Sequence, residues 1–212
     1  MYLKLFDIAL YINFFFNLFI LINPIGMIPV FINITKNQNH EERKKTNFIV
    51  NITVFLILLL SLFFGLKILN LFGISIHSLR ITGGILIINM AMSIINDNLF
   101  IKKNNLNKKN NTNISKNISI VPLATPLIAG PGVISSIIIW SSNNNDIYSL
   151  IVYSIVITIF SYFCWMLFNM SNLIINIFGF NGIDIITKIM GLLLMSIGIE
   201  LLTTEIKFLI YN

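Results

Sequence analysis

The sequence predicts an all-α polytopic membrane protein: six transmembrane helices arranged as two three-helix inverted repeats, with the first and fourth helices interrupted by proline and glycine. Three observations predict it. Of the 212 residues, 56% are hydrophobic and only 10% charged, whereas soluble domains carry about 25% charged residues. Charge-free windows long enough to cross a hydrocarbon core of about 30 Å recur along the chain, including 8–35, 46–66 and 117–145. Inside two of these windows sit clusters of helix breakers, "NPIGMIP" at 23–29 and "TPLIAGP" at 125–131.

The elements follow in order. The first span covers 8–33 and contains the first breaker cluster. A polar loop, "TKNQNHEERKKT", follows it, and Asn39 with Glu42 forms a variant capping box that starts the second helix. The second span covers 47–71. The third, 77–96, carries the adjacent small residues Gly83 and Gly84, which let membrane helices approach closely; Gly191 and Gly198 have the same role in the sixth. The fourth span, 118–140, holds "VPLATPLIAGPGVISS" at 121–136. The fifth covers 147–169 and the sixth 183–204. Lys188 and Glu200 in the sixth are about 18 Å apart along a helix, too far to pair, so each is expected to snorkel to the headgroups. Arg80 is expected to do the same. The chain reads as one transmembrane domain, 1–212: repeat 1 at about 1–97, a linker rich in Asn and Lys at about 98–117, and repeat 2 at about 118–212.

Charge gives direction. The first loop holds Lys36, Arg43, Lys44 and Lys45, and the third holds Lys102, Lys103, Lys108, Lys109 and Lys116. Such loops stay in the cytoplasm, which leaves both termini outside. Tyr2, Trp140, Tyr148 and Tyr211 then fall at the outer boundary as an interfacial aromatic belt. The net charge of +6 thus reflects loop lysines, and no nucleic-acid partner is expected. The N-terminus lacks the cleavage pattern of a secretory signal. With Cys164 the only cysteine, there is no intramolecular disulfide.

Three spans per half turn one half upside down relative to the other, the inverted repeat of many carriers. Pro24 and Pro29 are spaced as Pro126 and Pro131 are, with Asn23 and Thr125 before them; "RITGGILI" also aligns with "KIMGLLLM". Proline removes a backbone donor and clashes with the carbonyl four residues back. In lipid, such backbone survives only where protein or a wet cavity satisfies it. Broken helices therefore offer N–H groups to a carboxylate and C=O groups to an ammonium, backed by half-helix dipoles. Gly26, Gly130 and Gly132 allow close approach, and Asn23, Thr125 and Ser135 add side-chain contacts.

No nucleophile motif, phosphate loop or metal-ligand spacing occurs, so no catalytic residue, metal or cofactor is expected, and ATP-driven transport by this chain is excluded. The expected partners are membrane lipid and a small-molecule substrate; oligomeric state is not readable.

The segments "LINPIGMIPVF", "HEERKKT", "LRITGGILIINMAM", "VPLATPLIAGPGVIS" and "ITKIMGLLLMSI" resemble the MarC family of bacterial inner-membrane proteins, also described as six-span neutral amino acid transporters. The resemblance covers nearly the whole chain. It implies a multi-pass protein of the bacterial inner membrane that carries small amino acids such as glycine or alanine. It also implies that Asn23, Pro24, Gly26 and Pro29, with Pro122, Thr125, Pro126, Gly130, Pro131 and Gly132, are the residues of interest. The competing readings are a membrane scaffold or assembly protein that transports nothing, and an exporter or channel for another solute.

Overall fold

The structure, a computed structural model, describes residues 8–96, 129–144 and 146–211. Pro122, Thr125 and Pro126, the linker at 98–117 and residues 1–7 lie outside the described residues. Within them are seven helices: α1 (Ile8–Ile22), α2 (Ile28–Thr35), α3 (His40–Leu71), α4 (Ile76–Ile95), α5 (Pro131–Asn143), α6 (Ile147–Asn169) and α7 (Ser171–Tyr211). Four of them, α3, α4, α6 and α7, are long and apolar enough to cross a membrane. The fold is that of a helical membrane protein.

Local chemistry sets the boundaries. The first expected span appears as α1 and α2 with a break at 23–27. Helix α3 begins at His40, well before the expected start at 47, because the capping box forms: Glu42 N donates to Asn39 Oδ1 (2.8 Å) and Asn39 N to Glu42 Oε2 (3.1 Å). At its other end, Gly73 with φ 66° reverses the chain, and Ile74 N donates back to Leu69 O (2.9 Å), a glycine-terminated helix end. Ser75 then caps α4, accepting from Ser78 N (3.1 Å). The sixth span was expected at 183–204; helical structure instead runs from 171 to 211. It is two helices joined across a kink, since Gly179 sits at φ 66°, ψ 171°. The expected fifth and sixth spans leave 170–182 between them, yet within α7 only Gly179 leaves the helical conformation.

The helices pack in antiparallel pairs. Helix α4 lies along α7, with His77 near Glu205 at one end, Gly84 at Gly198 in the middle and Ile94 at Gly191 towards the other end. The middle crossing is tight: a Cβ on either Gly84 or Gly198 would lie 2.9 Å from the other's carbonyl oxygen. All four glycines expected to pack helices do so, for Gly83 faces Ser135 and Gly191 faces Ile94 and Ile95. Helix α3 lies along α6, where Asn47 Nδ2 donates to Trp165 O and Asn169 Oδ1, both at 3.0 Å. Helix α1 fits between α5 and α6, burying Phe14 against Trp140 and Tyr153.

Candidate functional site

The first break is a compact turn. Asn23 N still donates to Phe19 O (3.0 Å), so α1 holds to its last turn. Asn23 then adopts φ 45°, a left-handed conformation that costs a side chain about 1–2 kcal/mol and that asparagine tolerates better than most. Its Oδ1 accepts from Gly26 N (3.2 Å) and its carbonyl from Met27 N (3.2 Å). Pro24 has no N–H to satisfy. Pro29 falls in the first turn of α2, where a missing N–H interrupts no helical bond.

Gly26 has no room for a side chain. A Cβ there would lie 2.6 Å from Asn23 Nδ2 and 2.9 Å from Thr187 on α7. The break therefore presses against the sixth expected span near its start. Thr187 is buried, and its Oγ1 donates to Ile183 O (2.7 Å). The far side of α2 is fixed separately: Phe31 stacks on Phe168, and Arg43 lies over Phe31 while donating to Ser171 Oγ (2.7 Å) and Asn172 Oδ1 (3.1 Å).

The second break is described from Ala129 onward. Gly130 is buried and extended (φ −64°, ψ 166°), and it starts α5 with no side-chain cap. Its carbonyl accepts from Val133 N and Ile134 N (3.0 and 3.2 Å). Pro131 opens α5 as Pro29 opens α2, so the two prolines matched across the halves do the same job. Gly132 brings the start of α5 against α4, where a Cβ would meet Ile87 Cγ1 at 3.1 Å and Met90 Sδ at 3.3 Å. Ser135 serves packing: its Oγ donates to Pro131 O (2.7 Å), and its Cβ faces Gly83.

Two contacts fix how the breaks relate. Ser136 Oγ donates to Asn17 Oδ1 (2.9 Å), and Trp140 meets Phe14 with ring centroids 5.4 Å apart. The pairs run in opposite order, so α1 and α5 are antiparallel. Six residues beyond Asn17 is Asn23, and six before Ser136 is Gly130. Each is about 9 Å along its helix from the shared hydrogen bond, on the same side of it, so the breaks lie at one depth.

Sequence reasoning missed Asn17, Ser136 and Thr187. The first two were polar residues within charge-free windows, a signal hidden by asparagine's abundance in this chain. Thr187 was overshadowed by its neighbour Lys188, whose Nζ is 2.7 Å from Asp184 Oδ2. A second polar cluster was also missed. Glu205 is 2% exposed, with Arg80 Nη1 2.7 Å from its Oε1 and His77 Nδ1 2.7 Å from its Oε2. Arg80 Nη2 donates to Asn143 Oδ1 (2.5 Å). Arg80, expected to snorkel, thus ties α4 to α5 and α7.

Comparison with known proteins agrees with the helical, membrane-embedded reading. The family described as "MarC family integral membrane protein" matches residues 8–210. The chain is 53% identical over 208 residues to a UPF0056 membrane protein of Buchnera aphidicola subsp. Baizongia pistaciae, covering 98% of this chain and 97% of the relative. It is 47% identical over 202 residues to UPF0056 membrane protein YhcE of Escherichia coli (strain K12), covering 95% and 94%. A UPF0056 membrane protein of Archaeoglobus fulgidus is 33% identical over 202 residues, with 92% of each chain covered. No solved structure matches the chain.

Proposed function

The chain belongs to the MarC family of integral membrane proteins, and from that premise we propose that it is a secondary carrier of a small neutral solute, an amino acid such as glycine or alanine. It works by alternating access around the breaks at Asn23 and Gly130. The observation that carries this reading is the common depth of the two breaks, set by the Asn17–Ser136 hydrogen bond. Two interrupted helices at one level bring half-helix ends of both polarities to one place, which suits a zwitterion. Asn23 and Gly26 of the first half, with Thr187 of α7, line one side; Gly130, Pro131 and Gly132 form the other, with Pro122, Thr125 and Pro126 preceding them.

In this reading the chain crosses a bacterial inner membrane six times as two inverted halves, with both termini outside. It catalyses no reaction, and its partners are lipid and the carried solute. The antiparallel pairings of α1 with α5 and α4 with α7 support it, as does the lysine bias of loops one and three.

Uptake of labelled glycine or alanine into proteoliposomes tests the reading. Saturable uptake, competed by other small amino acids and abolished by Gly26→Leu or Gly130→Leu in folded protein, is expected. Absence of uptake in a folded, oriented preparation would favour the scaffold, and non-saturating flux a channel. For orientation, a cysteine replacing Asn105 in a Cys164→Ser background should react in intact cells only with a membrane-permeant reagent.

A further inference from the structure

Between α3 and α6 runs a groove of about 350 Å³, away from both breaks. Phe48, Ile52 and Phe55 form one wall, and Ser161, Tyr162 and Trp165 the other. Phe48 and Tyr162 are 59% and 64% exposed, so the groove opens outward, not into the bundle.

Two features separate it from the rest of the apolar surface. Ser161 Oγ is shielded from solvent yet has no hydrogen-bond partner, whereas Ser61 on α3 donates to the carbonyl one turn back (2.7 Å to Ile57 O). The groove also begins one turn inside two cations. Lys45, Phe48, Ile52 and Phe55 recur at the spacing of a single helical stripe, and Lys44 lies one turn before Phe48. Both lysines are exposed, while Arg43 beside them is occupied by Ser171, Asn172 and Phe31.

Depth fits the same picture. Helix α3 has 32 residues, about 48 Å of rise against a hydrocarbon core of about 30 Å. Its charged first turn therefore stands at headgroup level, with the groove directly beneath. Trp165, level with Asn47 through the bond between them, occupies the interfacial depth that tryptophan favours.

We propose that this groove binds one anionic phospholipid of the surrounding bilayer, with an acyl chain along the groove, the phosphate at Lys44 and Lys45, and the Ser161 hydroxyl donating to an ester carbonyl. Nothing in this depends on the chain being a carrier.

The probe is brominated phospholipid in reconstituted protein. The chain has two tryptophans, so Trp140→Phe leaves Trp165 as the sole tryptophan, excited selectively over the tyrosines. Brominated phosphatidylglycerol should quench Trp165 at lower mole fraction than brominated phosphatidylcholine, by roughly fivefold per engaged lysine at low salt. Unlabelled phosphatidylglycerol should reverse the quenching, and Lys44→Gln with Lys45→Gln should reduce the preference to that of the zwitterionic lipid. Equal quenching by both lipids, or a preference that survives the double substitution, overturns the proposal. Both lysines are exposed, so the variant tests binding without disturbing the packed helices.

Discussion

Asn23 carries a conformational requirement that its side chain alone does not explain. At φ 45° an alanine would keep the strain and lose the bond to Gly26 N, whereas a glycine would lose only the bond. Asn23→Gly should therefore be more stable than Asn23→Ala by about 1 kcal/mol, read as a difference in thermal unfolding in detergent; equal stability would mean that the turn relaxes out of the left-handed region. Gly26→Ala meets a different obstacle. The new methyl would press on Asn23 Nδ2 and Thr187, so a cost of about 1–3 kcal/mol is expected from overpacking, partly recovered by Thr187→Ala if that contact is responsible. Asn23 and Gly26 were legible in the sequence because a polar residue beside proline and glycine stands out in an apolar run. Thr187 was not, because a threonine bonded to its own helix carbonyl carries no local signature; only the approach of α2 reveals it.

Helices pair here through glycine, and each pairing glycine constrains a whole element. Gly84 and Gly198 bring the backbones of α4 and α7 together, each approaching the other's carbonyl. Gly84→Leu should force the helices apart and destabilise the protein by several kcal/mol, since backbone cannot yield as a flexible side chain does. Gly179 gives the contrast. Nothing lies within 4 Å of a Cβ there, yet its φ is 66°, so Gly179→Ala should cost only the backbone strain, about 1–2 kcal/mol. Comparable losses for the two variants would show that the α4–α7 crossing is softer than its geometry implies. The sequence marked the packing glycines correctly because small residues in apolar helices have one common use. It placed α4 and α6 almost to the residue, where composition changes sharply at both ends. It shortened α7, where helix and loop share the same polar residues and only Gly179 breaks the backbone.

At the scale of the molecule, two polar centres sit on one antiparallel frame. The breaks at Asn23 and Gly130 lie at one depth, and the Glu205 cluster closes an end of the same bundle, about 20 Å along α5 at Asn143. That second centre could not be read from the sequence. Arg80 and Glu205 are 125 residues apart, each at the edge of an expected span, where a charge normally reaches water. Their meeting depends on the register of α4 against α7, which the glycine crossing sets. The cluster joins α4 to α7 through one carboxylate that is 2% exposed, and Arg80 reaches α5 separately at Asn143. Removing one member of a buried pair leaves a charge without compensation, at about 3–5 kcal/mol when fully buried; with Arg80 22% exposed, about 2–3 kcal/mol is the expectation for Arg80→Leu. Replacing both partners removes the uncompensated charge as well as the attraction, so Arg80→Leu with Glu205→Leu should be more stable than Arg80→Leu alone. A double-mutant cycle on thermal unfolding measures the difference directly. Strict additivity would mean that the carboxylate gains nothing from Arg80 and that other contacts, the His77–Glu205 bond among them, hold α4 to α7 at this end. A coupling of 1 kcal/mol or more would mean that any motion parting α4 from α7 must first separate these charges, which would make this end of the bundle the more strongly closed.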